Sequence, residues 1–276
     1  MRIPDWVIYA VVLVAVVYGL FHRSDGPDAN APPAPPIDIN GGGTILPAPS
    51  VFDEEVLVDA ENYKGGSTGT AFAVGPQGNW LTARHVVDGC KNLGIAIGRQ
   101  KIVPVLSYEV FTEGDLALLK TDGGPASVAL DLDDPLRVGQ YGYHFGYPQA
   151  RPGEVTSRLL SRSRLTTRGR YRTTEPVLAW AEAGRTRGLT GSLGGISGGP
   201  VYDADGEVIG VTVAESPRRG RIYTTAPNSL ESFIPKLVSI EVNGETRRSL
   251  TQQNYGGEAD RLRRNLTIVP VVCRER

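Results

Sequence analysis

The sequence predicts an all-β domain preceded by an apolar N-terminal segment and a proline-rich tether. Short apolar or alternating runs recur through the middle of the chain, as expected for strands that bury one face. The 34 glycines and 20 prolines are high counts for 276 residues and suit many short strands joined by turns. Hydrophobic residues make up 40% of the chain, which is enough to build a core.

Residues 1–23 are predicted to form a membrane anchor. The stretch from Trp6 to Phe21 carries no charge. As a helix it would span about 24 Å, short of the roughly 30 Å hydrocarbon core. Ile3, Pro4 and the interfacial aromatic residues Trp6, Tyr9 and Tyr18 can make up the difference. A cleavable signal peptide is the alternative, because Ala29-Asn30-Ala31 has a small-x-small pattern. We favour the uncleaved single-pass anchor.

The rest of the chain is predicted to contain a tether, a folded domain and an extension. Residues 24–50 are rich in proline and include Gly41-Gly42-Gly43, which indicates a semi-extended linker. The folded domain is predicted over residues 51–240, and residues 241–276 form a C-terminal extension. Within the extension, Val269-Pro270-Val271-Val272 is expected to add a strand that carries Cys273.

The folded domain is predicted to consist mainly of strands. Apolar or alternating runs predict strands at Gly69–Val74, Leu93–Ile97, Val103–Tyr108, Leu116–Lys120, Val155–Leu160, Val177–Ala181, Val208–Val213 and Ile222–Thr225. The segment from Tyr202 to Glu207 is a hairpin connection. A short helical turn is expected at Arg84–Asp88, and Asn228 is expected to cap a helix over Leu230–Leu237.

Three polar residues occur in contexts suited to nucleophilic catalysis. His85 lies in the run Leu-Thr-Ala-Arg-His-Val-Val, Asp115 in Gly-Asp-Leu-Ala-Leu-Leu-Lys, and Ser197 in Gly-Gly-Ile-Ser-Gly-Gly-Pro. A serine hydroxyl needs an imidazole to take its proton and a carboxylate to orient that imidazole. A tight turn at Gly195 lets its amide converge with that of Ser197 on a developing oxyanion. A glycine-rich loop without chemistry is the alternative.

The spacing Gly195-x-Ser197-x-Gly199 also fits the nucleophile elbow of an α/β-hydrolase, which needs its histidine after the serine. All three histidines, His22, His85 and His144, precede Ser197, so this fold is excluded. His144 lies between two aromatic residues and is predicted to pack within a strand, without a catalytic role.

The order of these motifs resembles the trypsin/chymotrypsin-fold serine peptidases, in particular the bacterial trypsin-like, HtrA/Deg-type branch without a PDZ domain. The matching pieces are Gly69–Val74, Trp80–Val87, Asp115–Leu119, Gly146–Pro148, Ser197–Val201 and Gly206–Val211. The resemblance implies two six-stranded antiparallel β-barrels with a C-terminal helix and an active site between the barrels. It implies that Ser197 is the nucleophile, His85 the base and Asp115 its orienter, with the amides of Gly195 and Ser197 as the oxyanion hole.

The same resemblance implies a serine endopeptidase that acts on protein or peptide substrates without a cofactor or metal, in the periplasm at the inner membrane. Cys90 lies near the position where many relatives place a disulfide partner, and a bridge to Cys273 would return the C-terminal segment to the first barrel. Two unpaired thiols are the alternative. The pocket for the residue before the cut would be lined by Gly191, Ser192 and Val213–Glu215. A small or medium apolar residue is expected there.

Two positions depart from the family pattern. Ile196 stands where the animal enzymes carry an aspartate, and Arg84 precedes the histidine where a small residue is common. These departures leave open a second hypothesis, a catalytically silent binding module on the same scaffold.

The net charge of −1 gives no support for nucleic acid as a partner. Six arginines nevertheless cluster between the predicted strands, and a solvated face is the favoured interpretation. They are Arg158, Arg162, Arg164, Arg168, Arg170 and Arg172.

Overall fold

The computed structural model describes residues 43–60, 66–75, 78–98, 101–133, 135–234 and 247–274, all within the compact unit that begins at Asp38. The predicted anchor at residues 1–23 and most of the predicted tether lie outside these ranges. Among the helices of the described ranges, none has the length and apolar character needed to cross a bilayer.

The described residues are mostly strand and form two sheets. The strands of the first half are β1 (Glu54–Ala60), β2 (Thr68–Ala73), β3 (Asn79–Thr82), β4 (Asn92–Ala96), β5 (Ile102–Pro104), β6 (Ser107–Val110) and β7 (Ala117–Lys120). Those of the second half are β8 (Tyr141–Gly146), β9 (Gly153–Gly169), β10 (Thr173–Arg185), β11 (Pro200–Tyr202), β12 (Val208–Ser216), β13 (Arg221–Thr225) and β14 (Ile268–Arg274).

The first sheet has seven strands in the order β5-β4-β14-β2-β3-β7-β6. Its unusual member is β14, which comes from the C-terminal extension and lies between β2 and β4. Val271 pairs with Gly69 on one side and with Ile95 on the other. A disulfide joins Cys273 at the end of this strand to Cys90, with Cα atoms 5.7 Å apart. The predicted extra strand is thereby confirmed as an internal strand of the sheet.

The second sheet has the order β1-β9-β10-β13-β12-β11-β8, and β8 also pairs with β9. Six of its strands therefore close into a ring. The seventh, β1, lies outside the ring and runs parallel to the far half of β9, from Glu54 opposite Ser163 to Ala60 opposite Gly169. The prediction of two six-stranded antiparallel barrels was only partly met. Each sheet has seven strands, β1 pairs with β9 in parallel, and within the described residues the end strands of the first sheet, β5 and β6, do not pair with each other.

Several predicted strands have different bounds in the structure. The predicted strand Val103–Tyr108 is divided into β5 and β6, because β5 ends at Pro104, whose nitrogen cannot donate to a ladder. The runs at Val155–Leu160 and Val177–Ala181 are the centres of two much longer strands, β9 and β10. The hairpin between β11 and β12 is confirmed.

The described residues include three α-helices: α1 (Arg84–Val87), α2 (Pro227–Phe233) and α3 (Tyr255–Arg264). The prediction for α2 was wrong at its start, where Asn228 does not cap it. The helix begins after Ala226 with Pro227 in its first turn, a residue whose fixed φ suits that position and whose missing amide proton is not needed there. Helix α3 was not predicted, because Gly256 and Gly257 weaken its helical pattern.

Helix α3 packs the C-terminal extension onto the second sheet. Its buried residues Ala259 and Leu262 join the apolar cluster that contains Phe145. Arg263 is 8% exposed, pairs with Glu154 and donates to the carbonyl oxygen of Gly153 at 2.8 Å. The extension is thus part of the folded domain and places β14 in the first sheet.

Candidate active site

His85 and Asp115 form a hydrogen-bonded pair at the end of β3. The Nδ1 atom of His85 lies 2.6 Å from Oδ2 of Asp115, and the His85 amide donates to Oδ1 at 2.8 Å. Asp115 is 3% exposed, whereas the imidazole keeps 19% of its surface open. Because an ionised carboxylate only accepts, the proton of the neutral ring belongs on Nδ1, and Nε2 is left as the basic nitrogen.

Asp115 forms hydrogen bonds with two residues at the β9–β10 hairpin of the second sheet. The Tyr171 hydroxyl, in the turn between β9 and β10, donates to Oδ1 of Asp115 at 2.7 Å. The Asp115 amide donates to Oε1 of Glu175 in β10, also at 2.7 Å. Burial, and then the charge of Asp115, raise the pKa of Glu175 to about 8. The histidine–aspartate pair therefore rests on both sheets.

Ser197 lies in the segment between β10 and β11, close to the strand end that leads to His85. Its carbonyl oxygen accepts a bond of 2.8 Å from the amide of Thr70. A Cβ atom at Gly198 would come within 2.8 Å of the Ala83 nitrogen, so the two segments are in close backbone contact. Within the described residues the Ser197 hydroxyl makes no hydrogen bond with His85 or any other group. Catalytic hydrogen bonds are often long before substrate binds.

The loop before Ser197 has all of its carbonyl groups engaged. The acceptors and donors are Thr190 O and Ser192 O with Gln149 Nε2, Gly191 O with Arg185, Leu193 O with Ile196 N, Gly194 O with Gln149 N, Gly195 O with Thr70 Oγ1, and Ile196 O with Gly199 N. By contrast, the amides of Gly195 and Ser197 donate to nothing in the part of the chain that is described. Two open amides two residues apart are the donors that an oxyanion hole requires.

Gln149 is the main support of this loop. Its backbone amide donates to Gly194 O at 2.6 Å, and its side-chain amide donates to Thr190 O at 2.7 Å and Ser192 O at 2.8 Å. Gln149 has a φ of 54° and the next residue, Ala150, a φ of 59°. Left-handed conformations of non-glycine residues cost about 1 kcal/mol or more each, and such strain concentrates at functional sites. Through this strained turn, Gln149 makes three hydrogen bonds to the loop before Ser197.

The residues predicted to line the specificity pocket are tied to the same loop. The Glu215 carboxylate accepts a hydrogen bond from the Ser192 hydroxyl and bonds of 2.8 and 2.9 Å from the Leu193 amide. Val213 is buried. Glu215 therefore acts first as a brace for the loop, and its charge is not directed freely at a substrate.

Ile196 and Arg84, the two departures from the family pattern, both have packing roles. Ile196 is 2% exposed and belongs to the apolar cluster of the second sheet. Arg84 pairs with Asp88 at 2.9 Å, and its guanidinium lies 3.9 Å from the centre of the Tyr171 ring. Ile196 thus holds its segment by apolar packing where the animal enzymes have a charged aspartate. The charge of Arg84 is compensated by Asp88.

A second histidine–serine pair occurs in the core. Nε2 of His144 lies 2.7 Å from the Ser157 hydroxyl, and Nδ1 lies 3.2 Å from that of Thr212. His144 and Ser157 are fully buried, and burial lowers the pKa of His144 to about 3. A neutral imidazole without solvent access cannot serve as a base for a substrate. The predicted packing position of His144 in a strand is confirmed by its place in β8.

The arginine cluster differs from its predicted solvated face. Arg158 donates to Gly139 O at 2.7 Å, Arg162 to Pro47 O at 2.6 Å, and Arg170 to His85 O at 2.8 Å. These guanidinium groups bind backbone carbonyls of neighbouring segments, and only Arg168 and Arg172 are exposed. Four of the six arginines lie on β9, whose pairing with β10 shifts register between Leu159 and Ser161, and the sequence could not predict which segments cover them.

One group of carboxylates has a geometry that a cation could use. Asp131, Asp203 and Glu207 place one oxygen each within 4.8 Å of the others. Glu207 pairs with Arg247, and Asp203 already accepts the amides of Asp205 and Glu207. The cluster therefore has internal compensation and lies apart from the His85 pair.

Sequence reasoning missed the residues that support the site. Gln149 is distant in sequence from the loop it holds, and Tyr171 and Glu175 are distant from Asp115. Nothing in their local sequence marks them, because their roles depend on how β8, β9 and β10 are arranged. The glycine-rich motif predicted the open amides but not the donors that keep the loop in place.

A family model described as a trypsin-like peptidase domain matches residues 69–211, a little over half of the chain. This segment contains His85, Asp115 and Ser197. The chain therefore belongs to the trypsin-like peptidase family.

Curated relatives agree with that assignment. A probable periplasmic serine endoprotease, DegP-like, from Pseudomonas savastanoi pv. phaseolicola is 25% identical over 66% of this chain and 35% of its own length. The chloroplastic protease Do-like 5 of Arabidopsis thaliana is 29% identical over 65% of this chain and 58% of its own. The chain thus spans about a third to somewhat over half of these relatives.

A solved structure shares the fold. The active form of the Rv3671c protease from M. tuberculosis superposes with a TM-score of 0.52 at 17% identity, over 73% of this chain and 97% of that one. At this identity the likeness concerns the fold alone.

Proposed function

We propose that this protein is a serine endopeptidase in which Ser197, His85 and Asp115 act as the catalytic triad. The observation that carries the proposal is the pairing of His85 with Asp115 beside a loop with open amides at Gly195 and Ser197. Family membership supports the reaction class. The substrate is a protein or peptide chain.

The chemistry follows from these positions. His85 Nε2 takes the proton of the Ser197 hydroxyl as its oxygen attacks the scissile carbonyl carbon. Asp115 holds the ring and stabilises the imidazolium that forms. The amides of Gly195 and Ser197 donate to the oxyanion of the tetrahedral intermediate. His85 then protonates the leaving amine, and water hydrolyses the acyl-enzyme by the same steps in reverse.

The silent binding module is the weaker hypothesis. Its support was the unusual Ile196 and Arg84, and each has a packing contact that accounts for it. Neither residue occupies the place of a catalytic group.

We also propose that the domain works outside the cytoplasm, tethered by residues 1–23. The uncharged stretch from Trp6 to Phe21 supports an anchor. The disulfide between Cys90 and Cys273 suits an oxidising compartment. The periplasmic description of the DegP-like relatives supports the same location.

Proteolysis of an unfolded protein, such as reduced and alkylated casein, tests the proposal. The wild type is expected to produce fragments, and Ser197→Ala to lose nearly all turnover while keeping its fold by circular dichroism. Ser157→Ala is the matched control, because it removes the hydroxyl of the buried pair; its turnover per folded molecule should equal that of the wild type. Activity that survives Ser197→Ala would refute the assignment.

A further inference from the structure

The turn between β9 and β10 reaches from the second sheet to the histidine–aspartate pair. Arg170 donates to the His85 carbonyl at 2.8 Å, Tyr171 donates to the Asp115 carboxylate, and Glu175 accepts from the Asp115 amide. Three residues within one short segment thus contact both members of the pair. The mechanism above uses none of them.

Glu175 is the unusual member of this group. It is 2% exposed, and its Oε1 accepts one hydrogen bond, from the Asp115 amide. Its Oε2 is buried and has no hydrogen-bond partner within the described ranges. A buried carboxylate oxygen without a donor is costly, and a second negative charge next to Asp115 would add repulsion. A proton on the carboxyl group removes the negative charge, and with it the repulsion from Asp115 and the larger cost of burying an ion.

We propose that Tyr171 and Glu175 are positioning residues for the catalytic pair, and that Glu175 performs this role as the neutral acid. This inference rests on the proposed function. Tyr171 tunes the charge that Asp115 presents to His85, and Glu175 fixes the backbone of Asp115. Ionisation of Glu175 would disturb Asp115 and reduce catalysis.

The surroundings of Glu175 are consistent with this role. The titratable and charged groups on the elements around it include Asp115 before β7, His85 and Arg84 on α1, and Arg170 and Tyr171 in the turn. On the paired strand β9, Arg164 is the neighbour of Leu165, which lies opposite Glu175. Burial, followed by the charge of Asp115, raises the pKa of Tyr171 well above its ordinary value, so its hydroxyl stays protonated and donates. Burial and the charge of Asp115 likewise raise the pKa of Glu175.

The test compares kcat/KM against pH, from 5.5 to 9.5, in the wild type and four variants of the full chain. Glu175→Gln keeps the acceptor for the Asp115 amide and cannot ionise. It should retain activity within about twofold at pH 7 and lose the alkaline limb that we expect for the wild type near pH 8. Glu109→Gln, an exposed residue of β6, is its control and should follow the wild type. An alkaline limb that is the same in Glu175→Gln and the wild type overturns the proposal.

Tyr171→Phe provides an independent readout. Without the hydroxyl, the Asp115 charge is less compensated and favours the protonated imidazole of His85. The acidic limb of kcat/KM should therefore move to higher pH by about half a unit or more. The control is Tyr108→Phe, on β6 and 39% exposed, which should leave the limb in place. An unmoved limb in Tyr171→Phe contradicts the tuning role.

A direct titration covers the case in which Glu175→Gln does not fold or the wild type is inactive. Carboxyl ¹³C NMR of the glutamate-labelled wild type should show one resonance that titrates within about one unit of pH 8. If every glutamate carboxyl is ionised by pH 6, Glu175 is not a neutral acid and the inference fails. An inactive wild type that shows this resonance would refute the proposed function and leave the state of Glu175 established.

Discussion

The amide of Gln149 donates to the carbonyl oxygen of Gly194 at 2.6 Å, and this bond fixes the peptide group that carries the N–H of Gly195, the first of the two proposed oxyanion donors. Rotation of that peptide would turn its carbonyl toward the position of the substrate oxygen and its N–H away. In this chain Ile196 cannot form the ion pair that the animal enzymes use nearby. In its place, hydrogen bonds from Gln149, in a left-handed turn, restrain the loop before Ser197.

Gln149→Gly should lower activity without lowering stability. Glycine keeps the backbone amide, adopts the left-handed conformation without strain, and removes the side-chain bonds to Thr190 and Ser192. We expect kcat to fall about tenfold with KM little changed, because the donors act mainly in the transition state. Steady-state kinetics and urea unfolding measure the two effects. The control is Gln253→Gly, an exposed position, which should keep the wild-type kcat. A wild-type kcat in Gln149→Gly would contradict this account.

The disulfide should contribute strongly to stability because it closes a long loop. Cys90 and Cys273 are 183 residues apart in sequence. The chain-entropy model assigns such a loop about 5 kcal/mol, an upper value since unfolded chains retain structure. Cys273→Ser should lower the free energy of unfolding by several kcal/mol in urea titrations. Cys90→Ser and the double variant should lose the same amount, because each change breaks the same bond. Losses that add in the double variant would show that the bond does not form.

Glu175 should make the protein less stable as pH rises. Its pKa is about 8 in the folded protein and 4.5 in the unfolded chain. Between these values the folded state holds a proton that the unfolded state has lost, so the free energy of unfolding falls by up to about 1.4 kcal/mol per pH unit. Urea titrations at pH 5, 6, 7 and 8 should show Glu175→Gln gaining stability over the wild type at each step. Parallel curves would mean that Glu175 ionises normally.

Burial of His144 should make the protein less stable as the pH falls, the opposite of the trend expected from Glu175. Burial lowers its pKa from 6.5 to about 3. Below pH 6.5 the unfolded chain binds a proton that the folded state rejects, so stability falls as the pH drops toward 3. His144→Gln should be less stable at pH 7 by about 1–3 kcal/mol, since it breaks the bond to Ser157, yet lose less between pH 6 and pH 4. If His144→Gln loses as much stability between pH 6 and pH 4 as the wild type, groups other than His144 cause the acid destabilisation.

Local sequence identified the proposed catalytic residues more readily than it predicted the architecture. His85, Asp115 and Ser197 each carry their signature in a few adjacent residues, so their motifs and order were readable. The place of β14 was not, because strand pairing over such a distance depends on what the first sheet leaves open. The roles of Gln149 and Glu175 were equally hidden, since one acts through a left-handed backbone and the other through burial under Asp115.

The most direct test of the central claim is covalent labelling with a fluorophosphonate, read by intact mass and peptide mapping. The reagent reports an activated serine beside an oxyanion hole. We expect one adduct per chain, on the peptide that contains Ser197, and none in Ser197→Ala. Absence of an adduct on the folded wild type, or an adduct on another serine that persists in Ser197→Ala, would contradict it.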